Sequence, residues 1–234
     1  MKTLGIIGAM HEEVELLISE IGMVSKKNIV GVDFHMGKMA GNNVVVVQCG
    51  VGKVNAAICT QVLVDLYAVD YIINIGVAGA VHNELNIGDV VISNELLYHD
   101  FDATHFGYPR GTIPRMETGI FKADDYLIDV SKKSSYEVLQ DFESYIGRIC
   151  SGDMFVASKE YKNKLWSEFK AYCTEMEGAA VAHTAYLNNV PFVVVRAISD
   201  TASDDASETY KNGLEIAVKN SAEIALKMIE AIVD

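Results

Sequence analysis

Apolar and polar positions along this chain follow two periods that alternate from end to end. Short apolar runs bounded by turn-forming residues predict buried strands over Thr3 to Ala9, Val44 to Gly50, Tyr71 to Gly76 and Phe192 to Val195. Val32 to Met39, Asp89 to Leu97 and Tyr145 to Cys150 read as further strands, with Gly41-Asn42-Asn43 as a turn between two of them. Glu12 to Ile21 carries Val14, Leu17, Ile18 and Ile21 on one stripe, the spacing of an amphipathic helix. Lys53 to Tyr67, Asp124 to Lys133, Glu160 to Phe169, Glu177 to Asn188 and Leu214 to Ile232 complete the helices. The pattern predicts one three-layer α/β/α domain over residues 1–234, with helices flanking a central mixed β-sheet. Phe101 to Lys122 lacks either period and holds Pro109, Pro114 and several aromatics. An irregular stretch of that length in a compact domain is usually functional, and here it predicts a lid or a subunit contact.

Composition narrows the picture. A chain of 234 residues, 50% of them hydrophobic, can bury a sizeable single core. No apolar run approaches the roughly 18 residues of a membrane helix, and the acidic opening MKTLGIIGAMHEEVE does not read as a secretory signal. The four cysteines are scattered without a CxxC pair, which predicts a reduced, cytoplasmic chain with packing cysteines and no zinc site. The formal net charge is −13, with arginine only at 110, 115, 148 and 196. A nucleic acid or polyphosphate would be repelled, so the expected ligand is small and neutral or cationic, with no nucleic-acid or membrane partner.

The most chemically suggestive stretch is EMEGAAVAHTAYLNNVPFVVVRAISD, from Glu175 to Asp200. Glu175 and Glu177 read as the opening of a helix, whose dipole would hold Glu177 ionised. The apolar strand after Pro191 ends in Arg196 and Asp200, and ligands bind at the carboxyl ends of strands in open α/β sheets. Burial, with Asp204, Asp205 and Glu208 nearby, is expected to raise the Asp200 pKa, as a general acid at neutral pH requires. Near the amino end, Glu12 and Glu15 suit first-turn acids facing solvent. Glu13 shares its helix face with Leu17 and Ile21 and should lean inward.

Other patterns carry less. Gly50-Val51-Gly52-Lys53 lacks the upstream glycine and the following Ser or Thr of a phosphate loop, and reads as a strand-to-helix turn. Gly76-Val77-Ala78-Gly79 is a similar turn, and neither matches the dinucleotide fingerprint. His99, Asp100, Asp102 and His105 have metal-ligand chemistry but no supporting second pair, so a solvated or interface loop is preferred and no metal or cofactor is expected. Phe155, after a predicted strand, suits either core packing or stacking on a planar base.

Taken in order, GIIGAMHEEVELL at 5–17, GVGKVNAA at 50–57, INIGVAGA at 73–80, GDVVIS at 88–93, YHDFDATHFGY at 98–108, SGDMF at 151–155, EMEGAAVAH at 175–183 and PFVVVRAISD at 191–200 resemble one family over essentially the whole chain. It is that of the bacterial 5′-methylthioadenosine/S-adenosylhomocysteine nucleosidases, with a nucleoside phosphorylase-like fold. The resemblance implies hydrolysis of the N-glycosidic bond of adenine nucleosides bearing a 5′-thioether, and 5′-deoxyadenosine as a further substrate. It implies Glu13 as the base that activates water and Asp200 as the acid that protonates adenine N7. Glu177 would hold the ribose hydroxyls beside Glu175, with Met176 packed on the sugar and Arg196 near Glu177 and the water. Phe155 would stack on adenine, the Val156 backbone would read its edge, and Gly79 and Ser199 would border the substrate. Met10, Val51 and Tyr210 would line the 5′ end. Phe106 and Pro114 match positions that reach a neighbouring subunit's pocket, which implies a homodimer. Val77 stands where many relatives have serine, His11 where an acid is common, and Tyr210 where phenylalanine is usual.

Three other readings compete. A purine nucleoside phosphorylase would need cations for phosphate, and Arg196 is the only arginine within the pocket motifs, while Glu13 would repel the anion. A non-catalytic nucleoside-binding protein would have no use for Glu13, Glu177 and Asp200 together. A dinucleotide-dependent oxidoreductase lacks its glycine fingerprint.

Overall fold

A computed structural model describes residues 1–232, so the last two positions of the 1–234 span lie outside the described residues. The strands are β1 (Thr3–Gly8), β2 (Gly22–Ile29), β3 (Val32–Met39), β4 (Asn42–Gln48), β5 (Tyr71–Ala80), β6 (Val90–Tyr98), β7 (Phe121–Lys122), β8 (Ser144–Ser151), β9 (Cys173–Glu175) and β10 (Phe192–Asp200). The helices are α1 (His11–Glu20), α2 (Lys53–Tyr67), α3 (Asp125–Val138), α4 (Lys159–Phe169), α5 (Gly178–Asn188) and α6 (Ala206–Ala231).

The strands form one mixed sheet in the order β10-β6-β8-β9-β5-β1-β4-β3-β2, with β7 on β6. Strand β1 lies parallel to β4 and β5, and β5 lies parallel to β10. β10 also pairs with β6, so β5, β10, β6, β8 and β9 close into a ring, from which β1, β4, β3 and β2 extend to an open edge. The all-apolar runs predicted for β1, β4, β5 and β10 are buried on both faces, as parallel strands covered by helices require. α1 and α3 pack against α6, and α2 packs against α5. Val14, Leu17 and Ile21 of the α1 stripe are buried, and Ile18 is half-buried. No described helix is long and apolar enough to cross a membrane.

Three differences from the sequence pattern have physical causes. β2 was not predicted: its residues are almost all exposed, so no burial period marks it, and it is held by antiparallel pairing to β3 through the Val30-Gly31 turn, both at positive φ. Glu175 does not open a helix; it ends the three-residue strand β9, and α5 begins after Glu177. α6 begins eight residues before Leu214, at Ala206. Gly213 does not break it, because this glycine lets the helix approach β10 so closely that a Cβ there would collide with the Ser199 carbonyl.

Candidate active site

A cleft of about 310 Å³ opens where the ends of β1, β5, β9 and β10 meet. Its wall includes Met10, Glu13, Val51, Val77, Gly79, Phe155, Thr174, Glu175, Met176, Glu177, Ser199, Asp200 and Tyr210. Glu13 and Asp200, from opposite ends of the chain, therefore face one cavity. Val156 is buried and lines a small adjoining recess with Gly79, Phe155 and Asp200. Arg196 lies beneath the floor, 1% exposed. Phe106 and Pro114 are not in this wall; Phe106 ends a 3-10 turn over Thr104–Phe106 and is 79% exposed.

Glu13 sits in the first turn of α1 and folds back on the start of its own helix, as a glutamate at the third helical position does. Its Oε2 accepts the Ala9 and Met10 amides at 2.7 and 2.9 Å, and its Oε1 accepts the Val77 amide of β5 at 3.0 Å. Gly76 makes this approach possible: at φ 152°, a Cβ there would collide with both the Glu13 carboxyl and the Arg196 guanidinium. Burial pushes the Glu13 pKa above its ordinary value, against the opposing pull of Arg196 and the three amides.

Arg196 organises the acidic floor. Its Nε and Nη2 donate to Glu175 Oε2 at 3.1 and 2.5 Å, and Nη2 also donates to Asn74 Oδ1 at 2.8 Å. The same Nη2 lies 3.7 Å from Glu177 Oε2. Glu175 Oε2 further accepts the Glu177 and Gly178 amides at 3.0 and 2.7 Å, and its Oε1 accepts the Ser151 hydroxyl. Burial opposes charge on Glu175, yet Arg196, Ser151 and the Gly178 amide together hold its pKa below the ordinary value. Both Glu175 oxygens are thus engaged by protein donors.

Glu177 occupies the cap position of α5 but makes no side-chain cap; its Oε1 accepts the Gly52 amide at 2.8 Å. The sequence suggested that the helix dipole holds it ionised, and burial works against that. Burial and then the neighbouring Glu175 charge push its pKa up to about 7, against Arg196 and the Gly52 amide. Asp200 accepts the Ala202 amide at 2.9 Å on Oδ1 and the Ser199 hydroxyl at 2.9 Å on Oδ2. Burial raises its pKa and outweighs those bonds and Lys162; of the acids expected to help, Asp205 contributes, as a smaller effect than burial.

At the other end of the cleft, Tyr210 Oη lies 3.4 Å from Met10 Sδ, and its ring meets that of Phe155 edge-on, with centroids 6.0 Å apart. Thr174 Oγ1, in a residue that lines the cleft, is buried without a hydrogen-bond partner among the described residues. Sequence reasoning missed Thr174, Ser151 and Asn74. Asn74 had a visible signal, a polar residue within the otherwise apolar run of β5.

Among the described residues no group of three or more His, Cys, Asp or Glu side chains is arranged to hold a metal. Of the metal-like segment, Asp100 pairs with Lys53, and the His99 ring meets the Tyr161 hydroxyl.

Residues 3–230 match the family model described as the Phosphorylase superfamily. The chain is 40% identical over 228 residues to the 5′-methylthioadenosine/S-adenosylhomocysteine nucleosidase of Tolumonas auensis, covering 97% of this chain and 98% of that protein. It superposes with a TM-score of 0.95 at 35% identity on the nucleosidase of that name from Neisseria meningitidis, in complex with methylthio-immucillin-A, covering 99% of this chain and all of the other. The futalosine hydrolase of Helicobacter pylori is also similar, with a TM-score of 0.92 at 32% identity, covering 99% of this chain and 98% of the other.

Proposed function

The chain belongs to the 5′-methylthioadenosine/S-adenosylhomocysteine nucleosidases of the phosphorylase superfamily, N-glycosyl hydrolases, and from that premise we propose that it cleaves both nucleosides with Asp200 as acid and Glu13 as base. The observation that carries the assignment of roles is the convergence of these two carboxyl groups, each with a raised pKa, on one cleft.

Adenine leaves poorly as an anion. Asp200, whose protonated form burial favours, donates a proton to N7, and the glycosidic bond can then break with a neutral base departing. The sugar carbon becomes cationic, and the buried carboxylates of the floor favour that charge. Glu13 takes a proton from water as the water oxygen bonds to that carbon from the opposite face, as in inverting glycosidases. Glu13 is ionised in this step, and its three amide donors hold it in place. Glu177 accepts from the ribose hydroxyls and Met176 packs on the sugar. Glu175 acts on Arg196 and on the start of α5 instead of on the substrate, since its own oxygens are occupied.

Phe155, 46% exposed, stacks on adenine, and the Val156 backbone, Gly79 and Ser199 border the base. The unpartnered Thr174 hydroxyl is available to the ligand. Met10, Val51 and Tyr210 form the slot for the 5′ substituent. 5′-Deoxyadenosine fits the same slot, and the likeness to a futalosine hydrolase supports trying 6-amino-6-deoxyfutalosine. The exposed Phe106, with Pro114 further along the same irregular segment, suits a homodimer in which each subunit closes the other's slot. Chromatography after incubation with 5′-methylthioadenosine, S-adenosylhomocysteine, 5′-deoxyadenosine and inosine tests the reading. Adenine released from the first three is expected; attack on inosine alone would refute it.

A further inference from the structure

Lys53 of the GVGK turn and Asp100 of the metal-like segment have no part in the chemistry above, and the fold places them against each other. Lys53 Nζ lies 2.6 Å from Asp100 Oδ2 and 3.5 Å from Asp153 Oδ2. The Lys53 amide donates to Asp153 Oδ1 at 2.9 Å, and the Asp153 amide donates to Asp100 Oδ2 at 2.9 Å. Nζ also stands 5.4 Å from the centre of the Tyr98 ring. The loops that follow β4, β6 and β8 are thereby cross-linked outside the cleft, whose wall includes none of the three charged side chains.

Two of the three joined loops, those after β4 and β8, carry a substrate-facing group close by. The Gly52 amide, one residue from Lys53, holds Glu177, and Val51 lies in the cleft wall. Phe155 follows Asp153 by two residues, and its single ring contact among the described aromatic pairs is the edge-on one with Tyr210. We propose that Lys53, Asp100 and Asp153 form a positioning clamp that fixes the Gly52 amide and its bound Glu177 relative to the Phe155 ring, so that sugar and base are gripped together. The proposal rests on the nucleosidase reading, which gives Glu177 the ribose and Phe155 the base.

An isolated exposed ion pair would contribute little to such an arrangement. This one differs in two respects. The Lys53 and Asp100 side chains are only 25% and 24% exposed, and two backbone amides fix the aspartates, so little freedom remains to be lost when the pair forms. Loops ordered in advance do not have to be ordered by the ligand, which strengthens binding. Because the clamp touches no reacting atom, its loss should weaken ground state and transition state alike, raising KM more than it lowers kcat.

The test measures kcat, KM and melting temperature on 5′-methylthioadenosine for Lys53→Met, Asp100→Asn, the double variant and Lys53→Arg. Expected are a KM raised about tenfold in either single variant, kcat within about threefold of wild type, and a double variant no worse than the worse single. Lys53→Arg should recover most of the lost affinity. An unchanged KM in folded Lys53→Met, or single effects that multiply in the double variant, would overturn the clamp. So would parallel losses of kcat and melting temperature that Lys53→Arg does not repair. Wild-type enzyme that releases no adenine would instead overturn the nucleosidase reading, and the clamp with it.

Discussion

The Val77 amide of β5 donates to Glu13 Oε1 at 3.0 Å, joining residues 64 positions apart. That bond, with those from Ala9 and Met10, leaves Glu13 no freedom to swing and supports its ionised form against burial. In Glu13→Gln one carboxyl oxygen becomes an NH2 group, which must face at least one of these backbone donors. Turnover should fall by roughly 10²–10⁴-fold through loss of the base. Circular dichroism should show the fold retained, and near-normal single-turnover rates would remove Glu13 from its role.

Asp200 and Glu13 set opposite limbs of the pH profile. The acid must hold its proton, so activity falls as pH rises through the raised Asp200 pKa. The base must be free, so activity falls as pH drops through the Glu13 pKa, itself above the ordinary glutamate range. Plots of kcat/KM against pH should be bell-shaped, and Asp200→Asn should lose roughly 10²–10⁴-fold in kcat while still binding substrate. An alkaline limb that persists unchanged in the residual activity of Asp200→Asn would reassign it to another group.

Glu177 trades stability for binding. Its pKa rises from 4.5 to about 7 on folding, so the native state binds the extra proton between those values. The contribution of Glu177 to stability is therefore greatest below that window and is lost as pH rises through it. Glu177→Gln removes the titration: at pH 8 it should melt several degrees above wild type, consistent with a gain on the order of 1–3 kcal/mol, yet show a raised KM. Melting curves at pH 5 and pH 8 check the sign, since the gain should shrink at pH 5.

Arg196 answers two carboxylates at a buried position, 2.5 Å from Glu175 Oε2 and 3.7 Å from Glu177 Oε2. Arg196→Met leaves Glu175 buried without its cation, and breaking such a pair costs about 3–5 kcal/mol. Thermal melting should show a fall of about 10 °C or more. Arg196→Met combined with Glu175→Gln should recover part of that loss, and a double variant as unstable as the sum of both singles would contradict the pairing.

Much of the architecture was legible because its central strands are buried on both faces and α1 on one, so unbroken apolar runs mark β1, β4, β5 and β10, and a one-sided stripe marks α1. β2 escaped because an exposed hairpin strand buries nothing, and β9 because three residues cannot show a period. Glu13 could be distinguished from Glu12 and Glu15 by its helix face, and Asp200 by its place at the end of an apolar strand. The donors that tune them were not legible. The Gly52, Val77 and Ala9 amides belong to the backbone, which every residue but proline offers alike, and only the closing of the sheet decides which ones reach a carboxylate. The upward push on the Glu177 pKa was not legible for the same reason, since its burial and the nearby Glu175 charge exist only once β9 is in place.

The claim that water, activated by Glu13, attacks the sugar is tested most directly by following 5′-methylthioadenosine with and without inorganic phosphate and identifying the sugar released. The account predicts adenine and free 5-methylthioribose at a rate independent of phosphate. Turnover that requires phosphate and yields the sugar 1-phosphate would contradict it.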